Sequence, residues 1–245
     1  MYLELHGDPR GHRMLLLHGG GVAGWMWAPL REHLDPGARL LIPDLPGHDR
    51  SAEEPYASHG RTLRGLISVL EADGGSPATV VGFSLGAQLA VLLAAERPDL
   101  VARVVVISAQ AKPTPAPGLT LALLRATAGL ARVGWFARLQ AKQLYIPAEL
   151  MDDYVRTSAE MTTPSLLAMV EENIRFTVPA GWSRFPGRAL ILVGSKEKAV
   201  MRASADMLHR TLPGSSRETV EDAGHGIPFQ HPGRLAQQLA RITKR

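Results

Sequence analysis

The sequence predicts an α/β fold in which a mostly parallel sheet is covered by helices on both faces and interrupted by one helical insertion. Three observations carry this expectation. Short apolar runs that end at glycine or proline alternate with segments of helical spacing, the pattern of strands joined by crossover helices. The alternation stops at Lys112-Pro113-Thr114-Pro115-Ala116-Pro117-Gly118, whose alternating prolines forbid a regular helix and favour an extended connector. It resumes at residue 188. The expected organisation is therefore a sheet core of residues 1–111 and 186–245, split by a helical insert of residues 112–185.

The elements follow in order. Residues 14–17, all apolar, read as a buried strand running into the glycine loop His18-Gly19-Gly20-Gly21. Residues 39–42 repeat the pattern and end at Pro43-Asp44-Leu45-Pro46-Gly47. Leu63, Leu66, Ile67 and Leu70 sit at helical spacing, and Gly74-Gly75-Ser76-Pro77 stops that helix before a strand over 78–81. After Gly82-Phe83-Ser84-Leu85-Gly86 an alanine- and leucine-rich helix runs to Arg97, closed by Pro98, and a strand over 101–107 follows. The insert reads as helical over 119–133, 148–161 and 165–176, with Gly134, Pro147 and Pro164 as separators. Beyond it come a strand over 188–193, a helix over 203–211, a strand over 216–220 and a closing helix over 232–242.

Composition narrows the function. The chain has 245 residues, 45% of them apolar and 20% charged, which is ordinary globular usage and argues against disorder. Its longest apolar runs fall far short of the roughly 18 residues a membrane span requires. The N-terminal residues lack the basic, apolar and small-residue order of a secretory leader, so a cytoplasmic location is the expectation. Without cysteine there is no thiolate nucleophile and no thiolate metal site, and covalent catalysis must use another group. No other metal-ligand cluster is visible, so no metal is expected. The net charge of +4 is scattered and aromatic residues make up only 5%, so nucleic acid is not an expected partner.

The strongest chemical signal is Gly82-Phe83-Ser84-Leu85-Gly86, because it joins an apolar strand to a helix. A serine on such a sharp turn projects its hydroxyl at the top of a sheet, which makes Ser84 the candidate nucleophile. Serine needs a base, and His225 is the choice because it follows the last strand in a glycine-flanked loop at the same sheet edge. The base needs an orienting acid, and Glu197 is the only carboxylate in the loop after the strand over 188–193. A solvated charge between Lys196 and Lys198 is the competing reading of Glu197. The segment Ile107-Ser108-Ala109-Gln110 offers no substitute carboxylate. Backbone N–H groups of Leu85, at a helix N-terminus, and of Gly20 are the expected oxyanion donors, with Gly21 as the alternative to Gly20.

These residues resemble the α/β-hydrolase superfamily across essentially the whole chain. The likeness rests on His18-Gly19-Gly20-Gly21 with Trp27 nine residues after His18, on Asp44-Leu45-Pro46-Gly47-His48-Asp49-Arg50-Ser51, on the turn at Ser84, and on Gly224-His225. The resemblance implies an eight-stranded, mostly parallel sheet, a helical cap inserted after the sixth strand, and a cofactor-free serine hydrolase similar to small bacterial esterases or lactonases. It also implies that Asp44, His48 and Ser51 build a structural loop. Glu197 departs from the family pattern, which has aspartate there. The expected substrate is a small apolar ester, with thioester and lactone as variants, and Gly21, Trp25, Trp135, Phe136 and Tyr145 are candidate pocket residues. The competing functions are carbon–carbon bond cleavage or another non-hydrolytic reaction on the same constellation, and a catalytically silent ligand-binding protein. The cations Arg125, Arg132, Arg138 and Lys142 on an apolar insert leave open an interfacial lipase or a cap with a solvated outer face.

Overall fold

The computed structural model describes residues 1–129 and 133–244. Seven strands, β1 (Leu3–His6), β2 (Arg13–Leu17), β3 (Arg39–Pro43), β4 (Ala78–Phe83), β5 (Val101–Ile107), β6 (Arg188–Gly194) and β7 (Ser216–Val220), form one sheet in the order β1-β3-β2-β4-β5-β6-β7. Only β1 and β3 run antiparallel; every other neighbouring pair is parallel. Ten helices accompany them among the described residues: α1 (Ala28–Arg31), α2 (His59–Asp73), α3 (Leu85–Glu96), α4 (Pro117–Thr127), α5 (Gly134–Gln143), α6 (Met151–Glu160), α7 (Thr163–Arg175), α8 (Ala199–Thr211), α9 (Ile227–Gln230) and α10 (Pro232–Lys244).

The central strands are continuous apolar runs because helices cover both faces of the sheet. Leu15, Leu17, Val80, Val104 and Val106 pack with Leu66 of α2 and Leu89 of α3. The alternate residues Leu16, Val81 and Val105 pack with Trp27, Leu30 and Leu235 on the other side. Helix α3 is buried along nearly its whole length, so its N-terminus is held firmly at the end of β4. The strand order reverses between β2 and β4, and in open α/β sheets the crevice at the carboxyl ends of the strands on either side of such a reversal is the natural ligand site. The glycine loop after β2 and Ser84 after β4 both lie there.

The fold differs from the expectation at four points. The six strands read from the sequence coincide with β2 to β7, and β1 went unread because it is a four-residue edge strand on which Leu5 is exposed. The described residues thus hold seven strands rather than eight, with β1 paired to β3 alone. With one strand fewer ahead of it, the helical insert follows the fifth strand and not the sixth. Gly134 is not a separator but the first residue of α5, and α8 starts at Ala199, four residues before the expected 203. Residues 130–132, including Arg132, lie outside the described residues.

The insert is bound to the core by polar contacts at the carboxyl edge of the sheet. The Tyr56 N–H donates to Ser165 Oγ (3.1 Å), the His59 N–H to Glu172 Oε2 (2.8 Å), and Trp25 Nε1 to Thr157 Oγ1 (3.0 Å). Gln88, one turn into α3, donates to the Asn173 carbonyl (3.1 Å). These contacts place α7 directly over the N-terminus of α3.

Candidate active site

The turn between β4 and α3 forces Ser84 into φ +52°, ψ −110°, a conformation that costs a non-glycine residue free energy and survives only where the surroundings hold it. Two glycines make the turn possible. A Cβ on Gly82 would run into the Gly86 carbonyl, and one on Gly86 would run into the carbonyls of Leu17 and His18. The Ser84 N–H is fixed by the Ile107 carbonyl at 2.9 Å.

His225 enters from the loop after β7. Its Nε2 lies 3.1 Å from Ser84 Oγ and its Nδ1 lies 3.0 Å from Glu197 Oε2. A carboxylate only accepts, so Nδ1 carries the proton and Nε2 is left to accept from the serine hydroxyl. The Glu197 side chain is 1% exposed. Its other oxygen, Oε1, accepts from the Ser108 hydroxyl (2.6 Å) and from the Gly194 N–H (3.1 Å). Glu197 closes a turn onto Gly194, its N–H donating to the Gly194 carbonyl at 3.2 Å, and Arg202 donates to the Glu197 carbonyl. The longer glutamate therefore reaches His225 by folding back over its own loop. The segment Ile107-Ser108-Ala109-Gln110 holds no carboxylate, yet it supplies this hydroxyl. The available signal was the position of Ser108 at the end of a strand adjacent to β6.

The glycine loop comes close to the serine, since a Cβ on Gly19 would lie 3.5 Å from Ser84 Cβ. Leu85 is the first residue of α3, so its N–H has no carbonyl one helical turn earlier to bond. The Gly21 N–H is committed to His48 Nε2 at 3.3 Å, while His48 Nδ1 donates to the Pro46 carbonyl at 2.9 Å. His18 donates from Nδ1 to Gly19 O (2.7 Å) and accepts the Leu45 N–H at Nε2 (2.8 Å). Burial pushes the pKa of both imidazoles down, most strongly at His18, where His48 adds repulsion. Asp44 accepts from the Gly24 N–H and from Arg50, and Ser51 accepts the Tyr2 N–H. His18, Asp44, His48 and Ser51 thus each hold backbone groups in place.

Two cavities are lined by Ser84, and a third shares Gly20, Leu144 and Met169 with the smaller of them. One of about 540 Å³ has a polar wall that includes Gln110, Asn173, Lys196 and Tyr145. A small one of about 190 Å³ lies between Ser84, Leu85, Gly20 and His225. The third, about 430 Å³, is apolar, walled by Leu124, Phe136, Tyr154, Met161 and Met169 and reaching Gly20 and Gly21. Among the candidate pocket residues, Gly21 and Phe136 line the apolar cavity and Tyr145 the polar one. Trp25 and Trp135 line none of the three. Trp25 is held by Thr157 and packs near Phe229, and Trp135 is 64% exposed because it sits on the outer face of α5.

Residues 14–238 match the family model described as the alpha/beta hydrolase family. The chain belongs to that family. RutD of Caulobacter vibrioides, whose name marks it as a candidate carbamate hydrolase, is 26% identical over 100% of this chain and 95% of its own length. Lipase LipV of Mycobacterium tuberculosis is 29% identical over 96% of this chain and 95% of its own. Among solved structures, the esterase EaEST from Exiguobacterium antarcticum superposes with a TM-score of 0.86 at 19% identity, covering 100% of this chain and 95% of that one, a likeness of fold. The hydrolase names of these relatives support a hydrolase.

Proposed function

We propose that the chain is a serine hydrolase that cleaves a small apolar carboxylic ester, thioester or lactone through an acyl-enzyme on Ser84. The observation that carries this reading is the continuous chain Ser84–His225–Glu197, with contacts of 3.1 and 3.0 Å on a serine at a strained strand-to-helix turn. Ser84 Oγ attacks the acyl carbon while His225 Nε2 takes its proton. The Gly20 and Leu85 N–H groups stabilise the oxyanion, the commitment of the Gly21 N–H to His48 favouring Gly20 over its neighbour. His225 then protonates the leaving alcohol or thiol, activates water against the acyl-enzyme, and returns the proton to Ser84. Glu197 holds the imidazole in the tautomer this sequence needs and stabilises its cation. Residues 112–185 act as a cap, whose apolar cavity accepts the acyl chain.

Steady-state hydrolysis of p-nitrophenyl esters of increasing chain length tests the reading. The wild type turns over, with a chain-length optimum matching an apolar cavity of about 430 Å³. Ser84→Ala lowers kcat by about 10⁴ or more, as removal of a nucleophile does. Turnover that survives in Ser84→Ala contradicts it.

A further inference from the structure

Helix α4 is apolar nearly all round, Pro-Gly-Leu-Thr-Leu-Ala-Leu-Leu-Arg-Ala-Thr, yet none of its residues is buried. A helix of that composition is ordinarily enclosed by protein or lipid. Its inward residues, Leu124 and Ala128 just beyond its end, wall the apolar cavity beside Gly20. Its outward face, Leu119, Ala122, Leu123 and Ala126, is exposed, with Leu119 and Leu123 open by more than half. Helix α5 repeats the arrangement: Phe136 and Gln140 face the same cavity, while Trp135, Arg138, Leu139 and Lys142 form one exposed stripe. A solvated outer face would carry mixed charge. Here the sequence holds no carboxylate between Asp99 and Glu149, and among the described residues Arg125, Arg138 and Lys142 meet no carboxylate within 4.0 Å. Leucines and a tryptophan interleaved with unpaired cations suit a surface that is apolar beneath and negatively charged at its rim. No described helix is long and apolar enough to cross a membrane.

We propose that the outer faces of α4 and α5 dock onto an anionic lipid–water interface, the apolar side chains entering the headgroup boundary and the cations pairing with lipid phosphates. The same two helices wall the apolar cavity, which shares Gly20, Leu144 and Met169 with the small cavity at Ser84, so an acyl chain taken from that interface would enter beside the serine's own cavity. That last step rests on the hydrolase reading; the docking itself does not.

The experiment is cosedimentation of the full chain carrying Ser84→Ala with vesicles of phosphatidylcholine alone or mixed with an equal part of phosphatidylglycerol. The Ser84→Ala background separates binding from turnover, so a failure of docking and a failure of the hydrolase reading are distinguishable. The expected result is binding to the mixed vesicles that weakens with salt and is at least tenfold weaker on phosphatidylcholine. Leu119→Ser/Leu123→Ser/Leu139→Ser and, separately, Arg138→Glu/Lys142→Glu each lower the partition coefficient about tenfold or more, with unchanged circular dichroism and melting. Three results overturn the proposal: no binding to mixed vesicles, binding that the leucine substitutions leave intact, or self-association in sedimentation velocity that those substitutions abolish, which would assign the face to a second copy of the chain.

Discussion

At the end of β5 the Ser108 hydroxyl donates to the same carboxylate oxygen that accepts the Gly194 N–H, which leaves Oε2 of Glu197 directed at His225. In the proposed mechanism this hydroxyl positions the acid without touching substrate. Its loss removes a hydrogen bond worth about 1 kcal/mol net, so Ser108→Ala lowers kcat/KM roughly fivefold and leaves the fold intact. Glu197→Gln keeps the shape but offers His225 an amide in place of a carboxylate, and the expected loss is larger, about 10³ to 10⁴ in kcat. Steady-state kinetics on one p-nitrophenyl ester checks both. A Glu197→Gln enzyme as fast as wild type would leave Glu197 a structural residue of its loop.

The turn from β4 into α3 is where the family signature becomes mechanical. A methyl on Gly86 meets backbone carbonyls of Leu17 and His18 that cannot move without parting β2 from its neighbours, whereas one on Gly20 meets Met169 Sδ at 2.8 Å, the far part of a flexible side chain. Gly86→Ala is therefore expected to destabilise the chain by about 3 kcal/mol or more and Gly20→Ala by well under half of that, as read by chemical denaturation. Equal losses would contradict the packing described. The same local physics explains what was legible in the sequence. Strands β2 to β7 could be read because the central ones, covered on both faces, leave apolar runs, and because glycine or proline loops punctuate them. Strand β1 lacks that record, since it is a short edge strand on which Leu5 is exposed. Ser84, Glu197 and His225 each follow a strand at the carboxyl edge, so chain order alone brought them together on paper and the fold brings them together in space. Gly20 and Gly21 are indistinguishable as letters, and only the His48 ring tells them apart. Trp135 and Phe136 are neighbours on one helix whose rotation the sequence does not set, and the fold turns the first outward and the second into the cavity.

Across the whole molecule, the loop that carries Gly20, the proposed oxyanion donor, and the loop at Leu45 depend on two neutral imidazoles. His18 accepts the Leu45 N–H and His48 accepts the Gly21 N–H, roles that a protonated ring cannot fill, and burial holds both pKa values below the ordinary imidazole value. Once unfolded, both rings regain a pKa near 6.5 and take up protons below it. The unfolded chain then binds more protons than the folded one, so stability falls as pH drops through about 6.5 and levels off only below the folded-state values. The expected slope is up to about 1.4 kcal/mol per pH unit for each ring. Denaturation midpoints between about pH 7 and pH 5 check it, and a midpoint that is flat or rises on acidification would contradict the assignment of neutral, accepting histidines. The serine thus depends on a sheet, two loops and an insert held in register by residues far apart in the chain. The most direct test of that assembly is intact-mass labelling of the folded protein with a fluorophosphonate. The account predicts one adduct per chain, mapped to Ser84, absent in Ser84→Ala and strongly slowed in His225→Ala; a wild-type protein that stays unlabelled, or that labels elsewhere, would contradict it.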